Sequence, residues 1–257
     1  MDETHQISHF IRYSGRATES RSAEIAIESE VILSVNGVAW LSFRCSPENL
    51  EALAVGYLFN ESFIQSAQEI ASIELCEQHD HIDVWLHHDA IKPDTWSRTS
   101  GCQGGVTQSG PATLSAVTNP TTFYIQDILL QVDAFLTELN KPAFPQHGVH
   151  TTMLLDKKEV ISLSNDIGRH NTLDKIAGDC LLKKISLAEP VLITTGRISS
   201  EMVYKTARLQ VPLAVSLHSA SQLAIQAADT LGVTLVGHAR RAQIDIYSHP
   251  ERVIALT

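Results

Sequence analysis

Three short apolar runs punctuate the second half of the chain: Pro190-Val-Leu-Ile-Thr194, Pro212-Leu-Ala-Val-Ser216 and Val233-Thr-Leu-Val236. Each is too short for a helix and lacks polar alternation, the signature of a strand covered on both faces. Helical patterns lie between them. One, opened by Ser199 or Ser200, runs through Met202, Val203 and Ala207. The other spans Ser221–Leu231, with Ser219 as its predicted N-cap and Gly232 as its stop. Strands alternating with helices predict an α/β sheet with helices packed on its faces. A hairpin precedes them, from Val149 to Leu155 and Val160 to Leu163, turning at Asp156-Lys157-Lys158, and a helix covers Leu173 to Leu182. Ile244-Asp-Ile246 predicts a last strand.

The first half reads as α+β. Residues 1–20 are polar and predict a frayed end. Ile25 to Phe43 predicts a hairpin turning at Asn36-Gly37, and Ile70–Cys76 and Ile82–His87 predict two more strands. Ser46-Pro47-Glu48 predicts a helix start with Ser46 as N-cap, its apolar face formed by Leu50, Leu53, Ala54, Tyr57 and Leu58. Asp127 is the expected cap of an amphipathic helix through Leu139. The proline-bounded stretch Lys141–Pro145 is the candidate boundary, giving domains 1–140 and 141–257.

Composition narrows the function. No apolar run of the 257 residues is long enough to span a bilayer, and the acidic N-terminus lacks the parts of a signal peptide. Cys45, Cys76, Cys102 and Cys180 are too dispersed for a zinc pattern or a disulfide framework, so a reducing cytoplasm is the expected compartment. Residues 1–140 carry six Lys/Arg against nineteen Asp/Glu, a net of −13, while residues 141–257 carry thirteen against ten, a net of +3. The acidic half argues against general nucleic-acid binding; the second half has the charge for a local anion site. His79, His81, His87 and His88 cluster, but alternation points His87 and His88 to opposite faces, and a solvated strand end is the expected reading. No phosphate loop, dinucleotide fingerprint, zinc-deaminase signature or nucleophile elbow is present.

Four stretches carry chemistry. Arg98-Thr-Ser-Gly-Cys102-Gln-Gly-Gly-Val106 sets one cysteine among three glycines with no apolar periodicity, which predicts an exposed, mobile loop from about Lys92 to Pro111 with an accessible thiol. Asp166-Ile-Gly-Arg169-His170-Asn171 gathers a carboxylate, a guanidinium, an imidazole and an amide before a helix, a set that can bind a polar heterocycle or a phosphate or else cap that helix. Thr194-Thr-Gly-Arg197 joins a strand end to a helix start, where phosphates are favoured. Gly237-His238-Ala239-Arg240-Arg241-Ala242 follows a strand and brings two arginines together.

Ser164-Asn-Asp-Ile-Gly-Arg-His-Asn-Thr-Leu-Asp-Lys175, Gly196-Arg-Ile-Ser-Ser-Glu-Met-Val203, Leu235-Val-Gly237 and Tyr247-Ser-His-Pro-Glu-Arg252 resemble the formate dehydrogenase accessory sulfurtransferases, FdhD. Val35-Asn-Gly37, Leu53–Glu61 and Gly148-Val-His150 are similar to the same family, so the likeness runs over roughly residues 25–252. The resemblance implies a smaller α+β N-terminal domain followed by a cytidine-deaminase-like three-layer α/β C-terminal domain, in a homodimer. It implies that sulfane sulfur from a cysteine desulfurase is held as a persulfide on Cys102. The sulfur would then pass to the bis-molybdopterin guanine dinucleotide form of the molybdenum cofactor, for formate dehydrogenase. His238, Ala239, Arg240, Arg241, Ala242 and Gln243 fall where the family meets that cofactor. Arg169, Arg197, Arg240 and Arg241 would meet its phosphates, with His170 beside them, and Asp166 or Asn171 the guanine edge. Gly105 stands where many members have a second loop cysteine, Gln146-His147-Gly148 replaces Thr-Gly-Gly, and Ala242-Gln243 replaces Gly-Arg. The alternative is a chaperone that binds the guanylated cofactor without moving sulfur; a nucleotide hydrolase lacks its motifs.

Overall fold

The computed structural model describes residues 5–15, 17–92, 96–98, 106–108, 114–141 and 148–255. The first half holds β1 (His5–Ser14), β2 (Ala17–Ala26), β3 (Ser29–Val35), β4 (Val38–Cys45), α1 (Leu50–Asn60), β5 (Ile70–Leu75), β6 (His81–Leu86), β7 (Trp96–Arg98), β8 (Val106–Gln108), β9 (Phe123–Tyr124) and α2 (Ile125–Leu139). The second holds β10 (His150–Asp156), β11 (Glu159–Asp166), α3 (Arg169–Leu182), β12 (Pro190–Thr194), α4 (Ser200–Arg208), β13 (Leu213–Ser216), α5 (Gln222–Leu231), β14 (Thr234–Arg240), β15 (Gln243–Ser248) and β16 (Val253–Ile254). The α/β expectation holds.

The main sheet runs β11-β10-β12-β13-β14-β15. Strands β12, β13 and β14 are parallel, joined through α4 and α5; β10, β11 and β15 pair antiparallel. Side-chain alternation splits its two faces. Met153, Leu155, Ile193 and Val215 pack with Ile128, Val132 and Phe135 of α2 on one. Leu154, Leu192, Ala214 and Leu235 pack with α3, α4 and α5 on the other. The segment 114–141, which precedes the expected boundary, therefore packs with the main sheet, and β9 pairs with β16.

A second sheet, β4-β3-β6-β5, is covered by α1 through Leu33, Phe43, Leu53, Leu58 and Val84. Helix α1 crosses α3 at two glycines. A Cβ on Gly56 would stand 1.7 Å from the Asp174 carbonyl oxygen, and one on Gly178 1.9 Å from that of Ala52. Only hydrogen fits there, so the helix backbones touch. The layers are thus small sheet, α1, α3, main sheet and α2.

Several local expectations are corrected. Residues 5–14 and 17–26 pair as a ribbon, β1 with β2, instead of a frayed end. Ser46 does not cap α1. Its amide donates to Asp166 Oδ2 and its hydroxyl accepts from the Ile167 amide, so Asn49, at φ 53°, takes the N-cap position. Asp127 lies within the first turn of α2 and pairs with Lys158 at 2.9 Å. Ser221, whose Oγ accepts from the Ala224 amide, caps α5; the Ser219 carbonyl accepts from the Ile198 amide. Strand β14 continues past Val236 to Arg240 because β15 folds back on it, so His238 to Arg240 belong to the strand. Strands β7 and β8 pair antiparallel within the stretch expected as loop; Cys102 and most of residues 92–111 lie outside the described residues. So does the Pro142–Pro145 part of the expected linker. Among the described residues no helix is long and apolar enough to cross a membrane, and no group of three His, Cys, Asp or Glu is placed to hold a metal.

Candidate functional site

The C-terminal ends of β12, β13 and β14 lie on one edge of the main sheet, and the antiparallel β10 begins there. His150 pairs with Asp166 at the end of β11, and Thr152 with Thr194 at the end of β12. In open α/β sheets ligands favour this edge, where helix N-termini converge. Hydrogen bonds join the three strand ends. Ser216 Oγ donates to the Gly196 carbonyl at 2.7 Å, the Ile198 amide to the Ser219 carbonyl, the His238 amide to the His218 carbonyl, and Arg240 Nη1 to the Leu217 carbonyl at 2.6 Å. The predicted stretches 166–171 and 194–197 and the start of the third, His238 to Arg240, therefore reach one edge.

Two arginines and three imidazoles converge on it, and burial favours the neutral forms of His150 and His170. His150 is held below the ordinary imidazole value first by burial, then by the charges of Arg169, His218, His170 and Arg197. His170 is lowered by burial, against the raising hydrogen bond of Glu201, whose Oε2 is 3.1 Å from Nε2. Ser199, at the N-cap of α4, directs its hydroxyl to His170 at 3.2 Å, so the first amides of α4 receive no side-chain cap. Arg197 is exposed, and its guanidinium makes no ion pair or hydrogen bond among the described residues. Arg169 and Arg197 line an open cleft of about 620 Å³ with Ser199, Ser219 and Ser221. Two arginines, three imidazoles and two helix starts suit a polyanion such as a diphosphate.

The other expected ligands divide. Asp166 is fully buried and committed. It pairs with Lys175 at 2.7 Å and accepts from the amides of Ser46 and Gly168 and from Asn171 Nδ2. Asn171 Nδ2 also donates to the Arg44 carbonyl. These two side chains tie α3 to β4; Asp166 is enclosed by its partners, and the Asn171 amide nitrogen is taken. His238 is half exposed and bonded through Nδ1 to Asp245 and Tyr247. Arg241 pairs with Asp133 of α2 at 2.8 Å, on the outer surface. Ala239 is buried, while Ala242 and Gln243 are exposed at the β14–β15 turn. His150 and His218 were missed as site residues because each is a single histidine beside a strand end. Only the pairing of β10 with β12 brings His150 to the arginines.

The described cysteines differ in reactivity. Cys45 is buried and its thiol is pushed up to about 12 by burial and then by Asp166; burial raises Cys180 to about 11. Both stay protonated at neutral pH and are poor nucleophiles. Cys76 is half-buried; its thiol donates to Asp80 at 3.0 Å and accepts from the His81 amide.

Residues 26–254 match the family model described as the FdhD/NarQ family. A protein named sulfur carrier protein FdhD from Staphylococcus haemolyticus is 32% identical over 251 residues, covering 95% of each chain. One of the same name from Wolinella succinogenes is 33% identical over 235 residues, covering 88% of this chain and 81% of its own. Among solved structures, a protein assigned as a formate dehydrogenase accessory protein from Desulfotalea psychrophila superposes with a TM-score of 0.80 at 26% identity. That match covers 98% of this chain and 100% of the other.

Proposed function

Because the chain belongs to the FdhD/NarQ family, we propose that it is a sulfur carrier in the maturation of formate dehydrogenase, loaded on Cys102 and working in the cytoplasm. In this reading the Cys102 thiolate attacks the terminal sulfur of a cysteine desulfurase persulfide. A sulfur–sulfur bond forms at Cys102, and the donor cysteine leaves as a thiolate. No net oxidation occurs, and one thiol suffices, so the Gly105 position needs no second cysteine. Cys45 and Cys180 do not compete, because their buried thiols are protonated.

The client is the bis-molybdopterin guanine dinucleotide molybdenum cofactor, bound as substrate along the cationic sheet edge. The observation that carries this is the convergence of Arg169, Arg197, His150, His170 and His218 in a chain whose net charge is −10. Arg197, the uncapped start of α4 and Arg240 would hold its phosphates; Asp166, enclosed by its own partners, is left out. The homodimer implied by the resemblance belongs to the same proposal.

Intact-mass spectrometry after incubation with a desulfurase and cysteine tests the carrier. Wild type is expected to gain the mass of one sulfur atom and Cys102→Ala none, while both bind GDP alike. A Cys102→Ala protein that restores formate dehydrogenase in a strain lacking the accessory protein would leave only the chaperone reading. Arg197→Ala is expected to weaken GDP binding on the order of tenfold through a lost charge-assisted bond. Unchanged affinity removes the phosphate assignment.

A further inference from the structure

His238 occupies an unusual backbone position. Gly237 faces Asp245 and Arg240 faces Gln243, so His238 and Ala239 together oppose the single residue Ile244. That is a β-bulge, and His238, at φ 47°, has the left-handed conformation that glycine normally supplies in such a bulge. Three contacts hold it there. Its amide donates to the His218 carbonyl at 2.9 Å. Its Nδ1 lies 2.9 Å from Asp245 Oδ2 and 3.0 Å from the Tyr247 hydroxyl. The Tyr247 ring sits edge-on to the imidazole because residue 237 is glycine; a Cβ there would stand 2.5 Å from Tyr247 Cε2.

We propose that Asp245 and Tyr247 are positioning residues that fix His238 with its Nδ1 proton turned inward, so that Nε2 meets a phosphate oxygen of the nucleotide. This rests on the reading that the guanylated cofactor lies along this sheet edge. A carboxylate only accepts hydrogen bonds, so the Asp245 contact selects the form in which Nδ1 carries the proton. The Tyr247 oxygen braces the same N–H. Nε2 has no partner among the described residues, and the ring is about half exposed. When an anion arrives, Nε2 takes up a proton from solvent and donates it in a charge-assisted bond, while Asp245 balances the imidazolium. The charged and titratable groups on the elements around the ring are Asp245 and Tyr247 of β15, His218 after β13, and Arg240 and Arg241 at the end of β14. In this proposal the imidazole outweighs the left-handed backbone that glycine would relieve.

Two measurements on the full chain test this. The first is nitrogen-15 NMR of His238 in the ligand-free protein. The proton is expected on Nδ1 in wild type and redistributed in Asp245→Asn, whose amide can donate. An unchanged ring in Asp245→Asn overturns the inference whether or not nucleotide binds. The second is calorimetry with GDP from pH 5.5 to 8.5, about the range over which imidazole titrates. His238→Gly is expected to be at least as stable as wild type, to bind GDP on the order of tenfold more weakly below pH 6.5, and to lose part of the pH dependence. Asp245→Asn and Tyr247→Phe are expected to fall between. A His238→Gly protein that binds with wild-type affinity and pH profile sinks the inference and spares the cofactor reading. Absence of GDP binding by wild type sinks the cofactor reading itself, with the NMR result still deciding whether Asp245 sets the ring.

Discussion

Two lysines are buried among the described residues, each paired with an aspartate, and Lys205 also lies 4.0 Å from Glu61. Lys175 meets Asp166 at 2.7 Å and also donates to the carbonyls of Ser46 and Asn165. Lys205 meets Asp174 at 2.6 Å, and Asn60 donates to the same carboxylate. Burial pushes Asp166 up against the downward pull of Lys175, so the pair depends on both partners. Removing one leaves a buried charge without its counter-ion, held only by neutral hydrogen-bond partners. Lys175→Met is expected to cost about 3–5 kcal/mol in urea unfolding, whereas the paired replacement of Asp166 and Lys175 by apolar residues should cost much less. Equal losses would show that the pair is not the tie. Histidines set the pH dependence. His150 and His170 both lie below the unfolded imidazole value, so the unfolded chain binds more protons than the native one below about pH 6.5. Their contribution is present above that pH and lost as pH falls toward the native values; exposed His88, raised chiefly by its bond to the Asp89 carbonyl and then by Glu69, runs the other way. The melting temperature is expected to fall from pH 7.5 to 5.5, about one unit either side of 6.5, and His150→Gln should flatten that slope. The residues at 166–171 show what a sequence can reveal at this scale. Their polarity marked an anchor for a ligand or for a helix; which residue served which purpose depended on Ser46 and Arg44, more than 100 positions away.

At the scale of elements, β12, β13 and the first half of β14 were legible because each is an apolar run covered on both faces, a local property. β12 is the clearest case, with every residue buried from Pro190 to Thr194. Helix starts were less legible. Ser46, Asp127 and Ser219 each have capping chemistry, but a tertiary contact claims Ser46, an ion pair claims Asp127 inside its helix, and Ser219 lies two residues before the N-cap that Ser221 supplies. The ribbon β1–β2 was missed because its residues alternate without a buried face; Ile7, Ile11 and Tyr13 are exposed, so hydrophobic periodicity carried no signal. The crossing of α1 and α3 was not legible, although both of its glycines were. By helix propensity alone Gly56 and Gly178 are unfavourable in α1 and α3; the contact between the two backbones accounts for them. Gly178→Ala and Gly56→Ala should each cost about 3 kcal/mol or more, since the clash is with a carbonyl and not with a movable side chain. Chemical denaturation measures this. A helix-propensity gain in place of a loss would mean that the helices stand farther apart.

For the whole molecule, the route by which the small sheet is connected to the main one predicts how it unfolds. The small sheet buries its face on α1, α1 touches α3 through the two glycines, and α3 lies on the main sheet. The tie between Asp166, Lys175 and Ser46 fastens the same three layers, and Arg208 of α4 donates to the carbonyls of Phe59 and Ile64 beyond the end of α1. Loosening either sheet exposes α1 or α3 and strands buried charge, so neither half has an inexpensive open state. The ribbon β1–β2 is the exception, since its ladder is internal and most of its residues are exposed; an unsupported hairpin is marginal in water. Two probes separate the parts. Trp40, buried, and Trp85 lie in the small sheet and, with the third tryptophan removed as Trp96→Phe, report on it by fluorescence, while far-ultraviolet circular dichroism is dominated by α2 to α5 and the main sheet. The two urea transitions are expected to coincide, the mark of a single cooperative unit. Hydrogen exchange should show the amides of β1 and β2 opening far faster than those of α3 and β12. Fluorescence lost at distinctly lower urea than ellipticity would mean that the small sheet unfolds by itself, and that the α1–α3 crossing is a contact between two domains and not a shared core.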